Sequence, residues 1–492
     1  MVELIANVNS AVNGFVWGVP MLVLLVGTGI LMTILTKFFQ LSHIGHWFKN
    51  TVGGIFHDKH VTKHTDADDQ SISQFQSLCT ALAATIGTGN IVGVASALVA
   101  GGPGAIFWMW VVAFFGMMTN YSENVLGIYY RRRNSKGEWS GGAMYYLKDG
   151  LGSYKGCKQV GAVLAVLFSA FCLLASFGIG NMSQVNSIAA NMTSAFSIPA
   201  TATGIVLVII GALVIVGGLK RIAAVTEKLV PFMAIAYVIG ALVIFFANIS
   251  HVGAVFAAIF KGAFGLRAVG GGIVGSGVKL ALTWGMKRGV FSNEAGLGSS
   301  VMVHSSSNVK EPVRQGMWGI FEVFADTMVV CTLTAFAVLS SGLIDLDTGA
   351  VLVDVSGSAL VGQAFATVFG SFGPAFIAIA ILLFAFSTVL GWSHYGSKAW
   401  EYLFGTKSTI VYKVAFVLMI FIGWTLNLGL AWDLSDTFNG LMAIPNLIGV
   451  IALSPVVMKI TKNYVARIIK KEDVKPMLSV FPEIQQEQEK DM

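Results

Sequence analysis

Eleven stretches of this chain are long and apolar enough to cross a lipid bilayer, and that repetition constrains the fold more than any other feature. A bilayer core takes about 20 predominantly apolar residues per helix. The stretches lie at 15–37, 78–101, 104–130, 160–191, 200–217, 222–248, 268–303, 316–341, 361–395, 409–429 and 433–458. Hydrocarbon offers no partner to backbone N–H and C=O groups, so each span must satisfy its own. The expected class is an all-α integral membrane protein with about eleven transmembrane helices. Charge content agrees: 31 Lys+Arg and 25 Asp+Glu among 492 residues are too few to solvate a soluble protein of this size. A soluble enzyme, a disordered chain and a disulfide scaffold are excluded on these grounds.

The basic residues set the expected topology. With the N-terminus outside, 26 of the 31 fall in inner segments or at the span ends beside them. That is the positive-inside pattern, with the C-terminus cytoplasmic in the cell membrane. The net charge of +6 then reflects loops facing anionic lipid rather than nucleic acid. The first apolar run lacks a basic leader region and reads as a retained span, not a cleaved signal peptide. Residues 251–266 look amphipathic and too short to span, as for a helix lying at the interface. The transporter domain is expected over 1–462, and the polar stretch 463–492 reads as a flexible cytoplasmic tail.

A protein with many spans can transport, conduct, signal or catalyse. Five of the eight histidines cluster in the 38–70 loop (His43, His46, His57, His60, His64), but no HExxH pair and no Walker loop occurs. No paired catalytic geometry is visible, so an enzyme is not expected. The informative span is 78–101, whose middle reads Thr85-Ile86-Gly87-Thr88-Gly89-Asn90. Glycine permits a helix break at mid-membrane. Freed N–H groups beside a half-helix N-terminus suit a carboxylate, and freed carbonyls suit Na⁺. Close packing through small residues is the competing explanation.

A matching feature is expected half a protein later. Residues 283–299 hold Trp284, the pair Gly285 and Gly289, the bases Lys287 and Arg288, and Glu294. Charge inside a span costs roughly 2.5–3.5 kcal/mol per group on insertion scales, so these groups must face protein or water. Setting aside the extra helix at 15–37, ten spans remain. One break opens residues 78–248 and another, expected at Gly285–Gly289, opens 268–458. Halves of five spans have opposite orientation, so a five-plus-five inverted repeat is expected. Phe177, Asn181 and Gln184 recur at helical spacing on one face. Ser387 and Thr388 sit deep in an apolar run with Trp392 one turn beyond Thr388. Hydroxyls of this kind either coordinate Na⁺ or back-bond to the preceding turn. Glu123 is a candidate gate or ion-pair residue.

In these residues the chain resembles the alanine or glycine:cation symporter family. The matching stretches are Thr80–Glu123, Ser176–Asn186 (SFGIGNMSQVN), Arg288–Ser299 (RGVFSNEAGLGS) and Phe384–Gly405, spread over almost the whole chain. The resemblance implies a leucine-transporter-type fold with one extra N-terminal helix. It also implies uptake of a small neutral amino acid with Na⁺, or in some members H⁺, by alternating access. Alanine and glycine are the implied substrates, with serine or glutamine in related members. A passive channel or facilitator is the alternative. By the same resemblance, Gly87, Thr88, Gly89 and Asn90, with Thr85 beside them, would hold the substrate carboxylate. Phe177, Asn181, Gln184, Trp284, Thr388 and Trp392 would line the rest of the pocket. The cation would lie among Ala83, Ile86, Phe384, Ser387 and Thr388. Lys287, Arg288, Glu123 and Glu294 are gate candidates, and Lys287 departs from the family pattern. No cofactor is implied beyond the coupling ion; the implied partners are the amino acid and the bilayer.

Overall fold

The computed structural model describes residues 2–65, 69–265, 274–425 and 429–490. The expected start of the second repeat at 268–273 and the last residues of the span at 409–429 lie outside the described residues. Helix accounts for 81% of the structure. Among the described residues, seven helices are long and apolar enough to cross a membrane, or up to nine if each of two bent pairs counts as one span. The expected count of eleven is therefore not reached by length and composition.

The first span begins earlier than its apolar run. Helix α1 covers Val2–Val16 and α2 covers Val19–Leu35, with Gly18 at the joint and Pro20 in the first turn of α2. The polar residues of α1 hid it from a hydropathy reading, but they are used: Asn13 donates to Asp436 Oδ2 and to Thr437 Oγ1, each at 3.0 Å. The second span is broken as expected. Helix α3 (Gln74–Thr85) stops before Gly87, a short 3₁₀ turn covers Thr88–Asn90, and α4 (Val92–Gly101) leaves at 58°. Helix α5 (Gly104–Tyr129) follows as an unbroken, deeply buried span.

The next span is α6 (Lys158–Phe177) and α7 (Ser183–Phe196), joined by a π-helical turn at Gly178–Met182. Helices α8 (Ala200–Ile215) and α9 (Gly218–Ala247) close the first half. The short α10 (Val252–Phe264), expected from the sequence to be amphipathic, carries apolar side chains on both faces. It buries Val255, Ala258, Ile259 and Ala263 while Phe256, Phe260 and Phe264 remain exposed.

In α11 (Val274–Asn293) the structure corrects the sequence reading. No break occurs at Gly285–Gly289; the helix runs through both. A Cβ on Gly285 would overlap the Ala105 carbonyl, and one on Gly289 would come within 2.6 Å of Val112 Cγ1. These glycines let α11 approach α5 closely, as small residues do between membrane helices. The chain unwinds later, over Glu294–Ser300, with positive φ at Glu294, Gly296 and Gly298. Lys279 lies in the second turn of α11 and is exposed.

Helices α12 (Pro312–Val323) and α13 (Thr332–Ser340) flank a second π-helical stretch at Phe324–Cys331. The span expected at 361–395 is two helices. Helix α14 (Gly357–Phe369) ends at Gly370 with φ +59°, and α15 (Phe372–Phe404) is the long span. Helix α16 (Thr409–Thr425) precedes α17 (Gly429–Ala452), which bends by 58° into α18 (Ser454–Tyr464) where Pro455 opens a new first turn.

The C-terminal stretch is docked rather than free. Val480 N–H donates to the Tyr129 carbonyl at 3.0 Å, Leu478 is fully buried and Arg467 pairs with Glu311. Gln485 accepts from the N–H groups of Leu478 and Ser479, which holds the extended strip against α19 (Pro482–Lys490). Polar composition concealed this because one amide side chain satisfies the backbone that hydrophobic packing would otherwise have to order.

Candidate functional site

The break between α3 and α4 is braced by one side chain. Asn90 accepts from Gly87 N–H at 3.0 Å through Oδ1 and donates through Nδ2 to Asp326 Oδ1 at 2.6 Å. Asp326 is wholly buried in the π-helical stretch, and its other oxygen accepts from the Thr327 hydroxyl at 2.8 Å. Asn90 thus supports the turn from behind, and the Gly87 amide is already occupied. Gly87 has to be glycine for a second reason: a Cβ there would overlap the Thr388 hydroxyl.

Thr388 and Ser387 come from α15, which crosses the break. The Thr388 hydroxyl lies 3.1 Å from the Ala83 carbonyl, 3.2 Å from that of Ala84 and 3.0 Å from that of Phe384. The Ser387 hydroxyl lies 3.2 Å from the Ala83 carbonyl and 2.8 Å from that of Phe384. The hydroxyls back-bond to their own helix at the Phe384 carbonyl and also reach the last turn of α3. Ile86, the remaining residue implied for the cation, is the buried C-cap of α3. Two buried hydroxyls and three carbonyls converge here, and hard oxygen donors of this kind suit a small alkali cation.

Beside this gap is a cavity of about 10 Å³, close to what a single water requires. Thr85, Gly87, Thr88, Gly89, Gln184, Thr388 and Trp392 line it together with Glu294, so eight of the residues named from the sequence meet there. Ala84, Ile179, Phe291 and Asn439 complete the wall. Glu294 accepts from Trp392 Nε1 at 2.9 Å and from the Ser299 hydroxyl at 2.5 Å. Gln184 Oε1 and Asn439 Oδ1 are buried without a partner. Buried acceptors with nothing to accept mark a place for a donor, such as an ammonium group. A cavity this small admits an amino acid only if these walls move apart.

Four of the named residues sit elsewhere. Phe177 packs its ring on Tyr412 and Phe416 of α16, and Asn181 donates to the Phe416 carbonyl at 2.7 Å. The π turn at 178–182 adds a residue to the helix, so the regular spacing from Phe177 to Gln184 does not keep one face. Trp284 stacks against Arg288 and neighbours Gly101, outside the cavity. Asn90 is the brace already described.

The gate candidates separate into two groups. Lys287 pairs with Asp436 at 2.8 Å, and Asp436 also holds α1 through Asn13, so α1, α11 and α17 share one ion pair. Arg288 lies over the rings of Trp284 and Phe291. Glu123 is at the opposite side of the unwound segment, accepting from Asn446, which also donates to the Gly296 carbonyl at 2.9 Å. Sequence reasoning missed Asp326, Glu322 and Asn439. A carboxylate inside an apolar run was the available signal for the first two, the same one that singled out Glu294.

Comparison with known proteins decides the family. The model described as the sodium:alanine symporter family matches residues 2–478. This chain belongs to that family. It is 46% identical over 462 residues to the sodium/alanine symporter AgcS of Methanococcus maripaludis, covering 94% of this chain and 97% of that one. It is 35% identical to the probable sodium/glutamine symporter GlnT of Bacillus subtilis, covering 94% of this chain and 91% of that one. It is 34% identical to the putative sodium/proton-dependent alanine carrier protein YrbD of the same organism, with 93% and 92% covered. Among solved structures, MhsT in complex with L-phenylalanine aligns at a TM-score of 0.48 and 13% identity, over 80% of this chain and 99% of that one. The family member is a multi-pass membrane transporter, not an enzyme, and its class of activity is cation-coupled amino-acid symport.

Proposed function

We propose that this transporter moves alanine or glycine into the cell together with Na⁺, by alternating access about the broken helix α3–α4. The observation that carries the reading is the convergence of the Ser387 and Thr388 hydroxyls with the carbonyls of Ala83, Ala84 and Phe384. Na⁺ would sit there as cargo, with Ile86 contributing from the end of α3. The amino acid would occupy the adjoining cavity. Its carboxylate would face the turn at Thr88 and Gly89, and its ammonium group Gln184, Asn439 and Glu294. Trp392 and Phe291 would cap the side chain, which keeps the substrate small. With the N-terminus outside, the Lys287–Asp436 pair lies on the outer side of the cavity and belongs to an outer gate, while Glu123 lies on the inner side. The breaks at Gly87 and at Glu294–Ser300, one in each proposed half, support an inverted repeat.

The test is uptake of labelled alanine by the purified protein in vesicles. An inward Na⁺ gradient should drive accumulation above the outside concentration. Mere equilibration, regardless of Na⁺, would replace the symport reading with a passive facilitator.

A further inference from the structure

A second recess lies away from the cation gap and shares no lining residue with the cavity at the break. Its volume of about 250 Å³ has room for far more than a single water. Three parts of the chain build it. One is the hairpin whose strands Arg132–Arg133 and Trp139–Ser140 pair antiparallel, with Lys136 and Glu138 between them. Another is the joint between α8 and α9, at Gly217, Gly218, Leu219 and Lys220. The third is the end of α15 with the start of α16, which contribute His394, Lys398, Glu401 and Lys413.

The charges around this recess do not cancel. Four lysines line it (Lys136, Lys220, Lys398 and Lys413) against two acids, Glu138 and Glu401. Both acids are already engaged. Lys398 Nζ lies 3.1 Å from Glu401 and 3.8 Å from Glu138. Glu401 also accepts from the Ser140 hydroxyl at 2.5 Å, and the Asn134 amide donates to Glu138 at 2.9 Å and to Glu401 at 3.1 Å. Lys413 Nζ lies 3.5 Å from the Val216 carbonyl, and among the described residues neither it nor Lys136 has an ion-pair partner. Lys413 is within electrostatic reach of both Lys136 and Lys398. A cleft lined by an excess of one sign concentrates the opposite ion. The neutral groups narrow the choice of anion. Helix α9 starts without a side-chain cap, and its first N–H groups have no carbonyl one turn back to receive them. Ser397 and Thr406 add hydroxyls to the wall, and His394 Nε2 is buried there without a partner. Phosphate has oxygens enough for ammonium groups, hydroxyls and helix-start amides together.

We propose that this recess binds a phosphate group, presented by an anionic phospholipid of the adjoining leaflet or free in solution. Lys136 and Lys413 supply the charge, and the first turn of α9 supplies the amides. The recess sits where spans end, at the depth of lipid headgroups. Beside it, Leu213 and Val216 on α8 and Ile410 and Val414 on α16 are apolar and exposed, a surface along which acyl chains would lie. The positive-inside pattern assigns this side to the cytoplasm, whose leaflet carries anionic lipid. Filling the recess would tie the hairpin and the start of α9 to α15, the helix that brings Ser387 and Thr388 to the break. The proposal stands on these residues and does not depend on which solute is transported.

The test follows thermal unfolding of the full-length protein in detergent at constant Na⁺ and ionic strength. Dioctanoyl phosphatidylglycerol, dioctanoyl phosphatidylcholine, inorganic phosphate and chloride are titrated separately. A ligand that binds the folded protein raises its unfolding temperature in a saturable way. Phosphatidylglycerol should do so, and phosphatidylcholine and chloride should not. The double variant Lys136→Gln, Lys413→Gln should need about tenfold more ligand or beyond for the same rise, the effect of losing charge-assisted hydrogen bonds. A rise with phosphatidylglycerol alone supports the site and makes the lipid its source. A lysine-dependent rise with inorganic phosphate supports the site and makes free phosphate a sufficient ligand. The proposal is overturned if neither form of phosphate stabilises the protein, or if chloride or phosphatidylcholine does so equally. A double variant that responds like wild type overturns the assignment to these lysines. The wild-type titrations decide between phosphate and the other ligands even if the variant does not fold.

Discussion

At the scale of single residues, the site is governed by how little room there is around Gly87. Its two constraints, the Asn90 side chain on its amide and the Thr388 hydroxyl against its α-carbon, fix the break to α15. Gly87→Ala should displace the Thr388 hydroxyl from the carbonyls of α3. Overpacking of this kind costs about 1–3 kcal/mol, so Na⁺-driven alanine uptake should fall roughly tenfold or more while thermal unfolding in detergent shifts only modestly. Unchanged uptake in that variant would show that the Gly87–Thr388 contact has no part in transport. These residues were legible in the sequence because glycine and threonine in mid-membrane contradict an ordinary span. Asp326, Glu322 and Asn439 were not read, although they too are polar groups inside apolar spans, because no Gly-Thr-Gly run marks their helices as broken.

At the scale of elements, breaks and bends decide which residues meet. The paired glycines of α11 looked like the break seen in α3, yet they serve close packing against α5. The unwinding falls at Glu294–Ser300, where positive φ recurs. Sequence alone does not distinguish a glycine that bends a helix from one that admits a neighbour, since both uses depend on what stands opposite. The π turn at Gly178–Met182 had the same effect on Phe177 and Asn181, since an α-helical ruler carries no mark for an inserted residue. The Lys287–Asp436 pair joins α11 to α17 and, through Asn13, to α1. Lys287→Met leaves a buried carboxylate uncompensated, which typically costs 3–5 kcal/mol. Thermal unfolding should report that loss, and adding Asp436→Asn should recover most of it. A double variant no more stable than the single one would show that the pair is not what binds these helices.

At the scale of the whole molecule, helical class, the membrane and the family were all readable from periodicity and motif order, and the docking of segments outside the bilayer was not. The loop at 38–65 forms short helices, and within it His46 meets the Tyr464 hydroxyl at 3.1 Å. Burial lowers the pKa of His43, and burial together with His43, Arg314 and Lys49 lowers that of His46. The folded loop therefore favours the neutral rings. Stability is unaffected above the ordinary histidine value near 6.5 and falls as pH drops below it, because the unfolded segment takes up protons first. Hydrogen exchange across 39–57 should accelerate at mildly acid pH relative to neutral pH, and His46→Gln should reduce that difference. Exchange insensitive to pH beyond its chemical rate would contradict the assignment.

The central claim is that cation and amino acid occupy adjoining halves of one site at the break in α3–α4. Two ligands that share a wall must influence each other's affinity reciprocally, whatever the transport rate. The direct measurement is equilibrium binding of labelled alanine to the purified protein as Na⁺ is varied at constant ionic strength. The account predicts that wild-type affinity rises with Na⁺, and that Thr388→Ala needs about 5- to 30-fold more Na⁺ for the same affinity, the effect of losing roughly 1–2 kcal/mol from one ligand. Alanine affinity that does not change with Na⁺ in the wild-type protein would contradict it.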